Sequence, residues 1–254
     1  MIRIEDIHKS FGDVKVLKGI THKFEAGKTN LIIGRSGAGK TVLLKLLVGL
    51  MDPTAGTVYY EKQDFFKLDK KEKRKLRMEV GMLFQGSALF DSMTVEGNIR
   101  FPLDMFTNMT KAEKLKRVNY CLERVDLVGS NSKYPSETSG GMQKRVGIAR
   151  AIVLQPKYLF CDEPNSGLDP KTSIVIDELI KSITIENNIT TVINTHDMNS
   201  VMEIGDSIAL LHLGELAWVG SKEEVLSSEN QMLKEFIFAS PFLMKLRDLI
   251  GKEQ

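Results

Sequence analysis

Cysteine is nearly absent from this chain: two in 254 residues, Cys121 and Cys161, far apart and in apolar surroundings. A disulfide framework is not expected, and a reducing cytoplasm is. Long apolar runs are missing too. The two most apolar stretches, LLKLLVGLM and SIALLHLGELAWVG, are broken by Lys45, His212 and Glu215. Neither approaches the roughly 20 apolar residues that a spanning helix needs. A secretory leader is not expected, because MIRIEDIHKSF carries charge within its first six residues. Nor is there an excess of one charge: 35 Lys and Arg against 33 Asp and Glu leave +2, too little to indicate a nucleic-acid or membrane partner. Repeats and low-complexity tracts are also lacking. The composition is that of a soluble globular chain, so any membrane role is expected to run through a partner.

What is there is strongly patterned. IRIEDI and KVLKGITHKF alternate apolar and polar residues around FGD and EAGK, which predicts antiparallel strands with tight turns. TNLII reads as a short apolar strand, GRSGAGKT as a glycine-rich loop, and VLLKLLVGL as a helix. After the turn DPTAG, TVYY is another strand, KLDKKEKRKLRMEV a solvated helix face, and GMLFQ a buried strand. From Asp91 to Ser130 the periodicity is helical, with Leu115, Val118, Leu122 and Val125 on one face. From Ser139 helices alternate with the strands KYLFCDEP, TTVINTH, SIALLHL and LAWVG. Apolar strands between helices imply an α/β fold with a mainly parallel sheet covered on both faces. An antiparallel β subdomain precedes that core, and a helical subdomain over about 91–155 is inserted into it. In the tail over 241–254, Phe242, Leu243, Leu246, Leu249 and Ile250 repeat as an amphipathic helix, with Ser240 as N-cap and Pro241 at the first position.

GRSGAGKT matches G-x-x-x-x-G-K-[ST], a phosphate loop, with Gly34, Gly39, Lys40 and Thr41 at the fixed positions. Arg35, Ser36, Gly37 and Ala38 complete the loop and Val42 follows it. Glycines let backbone N–H groups turn inward around phosphate oxygens, and the following helix presents its positive end. Lys40 is expected to reach the β- and γ-phosphates, and the Thr41 hydroxyl to ligate Mg²⁺. A second site is expected in YLFCDEP, an apolar strand ending in two carboxylates. Asp162 fits the metal-holding acid of a nucleoside triphosphatase and Glu163 the general base for an attacking water. Cys161 reads as a small core residue. His8, His22 and His212 read as structural, as an isolated histidine ordinarily does.

With these motifs in place, nearly the whole chain resembles the ATP-binding subunits of ABC transporters. Gln85 ends GMLFQ where the family has its Q-loop, SGGMQKR is similar to the signature motif, and SGLDP, with Asp169, to the D-loop. His196 in NTHDM stands where the family has its switch histidine, and Phe11 where it stacks an aromatic ring on adenine. The resemblance implies a RecA-like ABC ATPase domain over 1–240 that binds ATP and Mg²⁺. It implies a head-to-tail homodimer with two ATP at the interface, in which Ser139, Gly140, Gly141 and Met142 meet the γ-phosphate held by the other subunit. Gln85 would sense Mg²⁺ and the attacking water, and His196 would contact the γ-phosphate. Thr138 departs from the family's usual leucine and Met142 from its usual glutamine; neither change removes a charged or metal-binding group.

Met142 and the segment ALFDSMTV further resemble the ATPases of bacterial MCE-type lipid transporters, including the maintenance-of-lipid-asymmetry system, although Gly97 replaces the acidic residue usual there. That branch implies phospholipid transport between membranes of a Gram-negative-type envelope. An integral membrane permease and an MCE-domain protein would be partners, and the ATPase would sit on the cytoplasmic face of the inner membrane. In the family, a groove beside the helical subdomain receives a coupling helix. Ala88, Leu89, Phe90, Met93, Phe101, Leu103, Met105 and Phe106 supply large apolar groups there, about half of them expected to fill the subdomain's own core. An ATPase for another small-molecule cargo, or a cell-division ATPase, is the alternative. One phosphate loop rather than two argues against translation factors, and the lack of a long coiled-coil insertion against repair proteins. No nucleic-acid partner is expected.

Overall fold

The computed structural model describes residues 1–237, so the amphipathic segment over 241–254 and its cap at Ser240 lie outside the described residues. Three strands open the chain, β1 (Ile2–Phe11), β2 (Val14–Phe24) and β3 (Thr29–Ile33). The first two form the expected antiparallel hairpin. After α1 (Lys40–Leu47), β4 (Ala55–Tyr60) and the short β5 (Gln63–Asp64) complete a four-stranded sheet in the order β2-β1-β4-β5. Its inward face is the apolar half of the alternating pattern: Ile2, Ile4, Ile7, Leu17, Ile20 and Val58 are buried.

The basic segment forms α2 (Lys70–Met78), started by a capping box between Asp69 and Glu72. β6 (Val80–Leu83) follows, and then three helices, α3 (Val95–Phe106), α4 (Lys111–Arg124) and α5 (Gly140–Ile152). Thr94, Thr110 and Ser139 cap these three, each hydroxyl accepting from an amide three residues on, as such residues do at helix starts. Val118, Leu122 and Val125 are buried as expected, but Leu115 is 42% exposed. The buried stripe of α4 also includes Cys121. At 100° per residue Leu115 lies about 70° from that stripe's centre, so it falls on the margin of the helix–helix contact.

The remaining elements alternate: β7 (Tyr158–Asp162), α6 (Pro170–Glu186), β8 (Thr190–Thr195), α7 (Met198–Ile204), β9 (Ser207–His212) and β10 (Glu215–Gly220), then α8 (Lys222–Ser227) and α9 (Gln231–Ile237). They build a six-stranded sheet in the order β10-β9-β3-β8-β7-β6, parallel throughout except for the antiparallel edge strand β10. Both faces are covered, which explains the uninterrupted apolar runs. Ile32, Phe160 and Val192 pack toward α1 and the small sheet, while Leu31, Ile33, Cys161 and Ile193 pack toward α5, α6 and α7. Among the described residues no helix is long and apolar enough to cross a membrane. His22 takes the structural role expected of it: it packs edge-on against Phe24 with ring centroids 4.8 Å apart, and burial pushes its imidazole down to about 4.

Candidate active site

The parallel strands end along one edge of the sheet, and their loops carry the chemistry there. β3 is buried at every residue and stops at Ile33, and the chain then turns through 34–39 into α1. Gly34 is required where it stands. A Cβ on it would lie 2.3 Å from the Leu211 carbonyl oxygen on β9, and its φ of +148° is one that L side chains rarely adopt. The turn is therefore pressed onto the sheet, and the N-terminus of α1 points into the space above it. Lys40, the first residue of α1, is 8% exposed, and its ammonium donates to the carbonyls of Gly34 at 2.7 Å and Arg35 at 3.3 Å. Burial lowers the Lys40 pKa, opposed by the negative charges of Glu163 and Asp162.

β7 delivers the two carboxylates. Asp162 Oδ1 accepts from the Thr41 hydroxyl at 3.2 Å and from Asn194 Nδ2 at 3.1 Å. Glu163 is held in left-handed backbone at φ 50°, uncommon for a residue with a Cβ, while its amide donates to the Asn194 carbonyl at 3.0 Å. That conformation turns its carboxylate toward the site, where Oε1 lies 3.8 Å from Lys40 Nζ and Oε2 2.6 Å from His196 Nδ1. The residues converge on a cavity of about 720 Å³ lined by Arg35, Ser36, Gly37, Gly39, Lys40, Thr41, Val42, Gln85, Glu163 and His196, with Val16 and Phe236 closing the remaining wall. Gly34 and Ala38 are buried members of the loop, and Asp162 is buried behind it.

Other expected residues lie apart from this cavity. Phe11 is 48% exposed beside the Lys9 ammonium, 5.1 Å from its ring, and Val16 rather than Phe11 lines the cavity. Ser139 and Gly140 form the exposed N-terminal end of α5, Gly141 is half-buried against Thr172, and Met142 packs partly against the core. Asp169 caps α6, its carboxylate accepting from the amides of Lys171 and Thr172 and from the Thr172 hydroxyl at 2.5 Å. Gln85, by contrast, lines the cavity and donates weakly to Ser166 at 3.4 Å.

Four participants escaped the sequence reading. Asn194 holds Asp162 in place, and Val16 and Phe236 form cavity wall. Lys144, 5% exposed, reaches back from α5 to donate to the Gln85 carbonyl. Asn194 carried a signal, a polar side chain in the buried run TTVINT. The other three did not, because their partners are distant in sequence.

The donors fit Mg²⁺. A carboxylate and a hydroxyl oxygen sit within hydrogen-bond distance beside a phosphate-sized cavity, and this hard ion takes few protein oxygens alongside phosphate. Asn194 Oδ1, next to Asp162, has no hydrogen-bond partner among the described residues.

Comparison with known proteins decides the family. The ABC transporter family profile matches residues 17–166, which span the phosphate loop, Gln85, the end of α5 and both carboxylates. The chain belongs to the ABC transporter family. It is the ATP-hydrolysing subunit, and ATP hydrolysis coupled to transport is its activity. A "Probable ribonucleotide transport ATP-binding protein mkl" of Mycobacterium leprae is 36% identical over 236 residues, 93% of this chain and 68% of that protein. The methionine import ATP-binding protein MetN of Corynebacterium diphtheriae is 36% identical over 99% of this chain and 76% of its own length. Among solved structures, a dimeric post-hydrolysis state of the ATP-binding cassette MJ0796 bound to ADP and Pi superposes with a TM-score of 0.80 at 31% identity, covering 87% of this chain and 99% of that one. The structure of cbiO1 from Clostridium perfringens, part of the ABC transporter complex cbiONQ, gives 0.83 at 28% identity over 97% and 98%.

In this ABC ATPase, replacing Lys40 by alanine is expected to weaken ATP binding by roughly 10- to 100-fold, since a charge-assisted hydrogen bond to phosphate contributes about 1.5–3 kcal/mol. Titration of the variant with a fluorescent ATP analogue checks this, and wild-type affinity would remove Lys40 from the site.

Proposed function

We propose that this ATPase energises the movement of phospholipid through a membrane permease that works with an MCE-domain protein. The hydrolytic part rests on one observation: Lys40, Thr41, Glu163 and His196 converge at a single cavity with Asp162 directly behind it. In this reading the loop amides and Lys40 grip the phosphates. Thr41 and Asp162 would hold Mg²⁺, which offsets phosphate charge when bound. Glu163 takes the proton of the attacking water, His196 orients that water against the γ-phosphate, and Gln85, which lines the same cavity, senses it. The amides of Gly140 and Gly141, at the start of a thirteen-residue helix, face a nucleotide held by a second copy of the chain, so a head-to-tail homodimer completes two sites. Asp169 and Phe11 keep their assignments as D-loop and adenine contact in that dimer.

Support for the lipid cargo is the resemblance carried by Met142 and ALFDSMTV. A second reading, uptake of a small solute, is favoured by the relatives named for methionine import. Purification from native membranes in mild detergent separates them. A polytopic permease, an MCE-domain protein and bound phospholipid support the first, whereas a permease with a solute receptor overturns it.

The permease would dock in an apolar groove of about 430 Å³ between the β6 edge and α3, lined by Met82, Phe84, Ala88, Phe90, Phe101 and Phe106. Phe90 and Phe101 tilt against each other with centroids 4.9 Å apart, and Phe90 remains 41% exposed. Phe90→Glu is expected to cut permease affinity by about 30-fold, the scale of an aromatic anchor, with ATP binding intact. Co-purification of the variant with undiminished permease would place the contact elsewhere.

A further inference from the structure

Asp177 is a buried carboxyl that the hydrolytic machinery leaves unused. It lies on α6, 3% exposed, and faces Asn165 and Ser200. Asn165 belongs to the loop that leads from Glu163 to α6, and Ser200 to the start of α7, just after His196. Asn165 Nδ2 donates to Ser200 Oγ at 3.0 Å, so the two segments are already fastened together behind the site. In front of it, Glu163 and His196 meet at 2.6 Å. The two attachments therefore join the same pair of segments.

The rear attachment is incomplete. Asp177 Oδ1 and Asn165 Oδ1 are both buried with no hydrogen-bond partner among the described residues. Buried polar groups are nearly always paired, and a half-satisfied network is unstable in its present arrangement. Both orphans are acceptors, and either a proton on Asp177 or a turn of the Asn165 amide, which brings Nδ2 to the carboxyl and Oδ1 to the Ser200 hydroxyl, supplies the missing donor. The surroundings oppose ionisation. Burial pushes the carboxyl up to about 6, opposed by hydrogen bonding from Ser200 and Asn165 and aided by the negative charges of Asp197 and Glu203, while Cys161 is its neighbour on β7.

We propose that Asp177 is a positioning residue that ties the loop after Glu163 to the helix after His196, so that base and histidine keep one register as the site closes on nucleotide. The proposal rests on the ATPase reading of that site. It predicts an effect on turnover rather than on nucleotide affinity, because Asp177 touches neither ATP nor water.

The test uses the full chain and three variants, Asp177→Leu, Asp177→Asn and Ser200→Ala, with ATP hydrolysis, nucleotide binding and thermal unfolding measured on each. Asp177→Leu is expected to lower kcat roughly 3- to 30-fold, the range of long-range coupling, while KM for ATP stays within about two-fold. Asp177→Asn, which keeps the shape and adds a donor, is expected to recover most of that loss. Ser200→Ala should reproduce the split without altering the carboxyl. A folded Asp177→Leu protein with wild-type kcat would overturn the proposal. So would a loss of activity that tracks lost stability and that asparagine does not relieve. Wild-type protein unable to hydrolyse ATP would instead overturn the reading beneath it.

Discussion

Glu163→Gln is expected to bind ATP normally and yet to turn it over about 100- to 10,000-fold more slowly, the loss typical when a positioned general base is removed. Glutamine keeps the shape and the hydrogen bond to His196 but cannot accept the water's proton. Nothing else in the cavity replaces it. Asp162 is buried behind the loop and occupied by Thr41 and Asn194, and His196 Nδ1 is engaged with Glu163 itself. Binding should survive because Lys40 and the loop amides are untouched, and removing a negative charge 3.8 Å from Lys40 Nζ leaves that ammonium freer for phosphate. The variant should therefore accumulate as an ATP-bound dimer that does not reopen. Steady-state phosphate release together with size-exclusion chromatography in ATP reads both consequences. Wild-type turnover would mean that another group takes the proton.

The second large effect is on stability, and it is pH-dependent. The Asp177 carboxyl lies at about 6 in the fold against an ordinary 3.8. Because its folded value is raised, its contribution to stability is full below about pH 4 and is lost as pH rises through 6. A shift of this size corresponds to about 3 kcal/mol once the group is ionised. Asparagine at 177 stays neutral throughout. Asp177→Asn is therefore expected to be more stable than wild type at pH 8 by up to about 3 kcal/mol, with the difference shrinking toward zero near pH 4. Urea unfolding at the two pH values measures it. An equal difference at both would show that the carboxyl ionises freely within the fold.

The parts of the site legible in the sequence were those whose geometry is local. In GRSGAGKT the spacing itself makes the turn, and in YLFCDEP an apolar strand must end where its carboxylates begin, so Lys40, Thr41, Asp162 and Glu163 could be assigned before any fold was known. His196 became readable only alongside them. Asn194, Lys144 and Phe236 act through partners far along the chain, 32 residues away for Asn194 and Asp162 and 59 for Lys144 and Gln85, and no periodicity encodes such meetings. The strands and helices followed from alternation and capping, whereas Leu115 shows the limit of a helical stripe: a residue at its margin is buried only if a neighbour reaches that far.

Helix α5 grips the loop after β6 at three backbone oxygens. Lys144 takes the carbonyl of Gln85, and Arg150 takes those of Ser87 at 2.5 Å and Ala88 at 2.7 Å. Ser87 and Ala88 are themselves locked in left-handed backbone, at φ 60° and 46°. A loop clamped in this way is no slack hinge. It is the short arm of a lever whose long arm is α5, with Ser139 at the far tip. A load applied beside Phe90 is therefore expected to pass into α5 rather than be absorbed by local bending, and a displacement of Ser139 is expected to reach Gln85 at the phosphate cavity by the same contacts. If so, the timing of hydrolysis and the position of whatever sits in the groove would be tied through one rigid part.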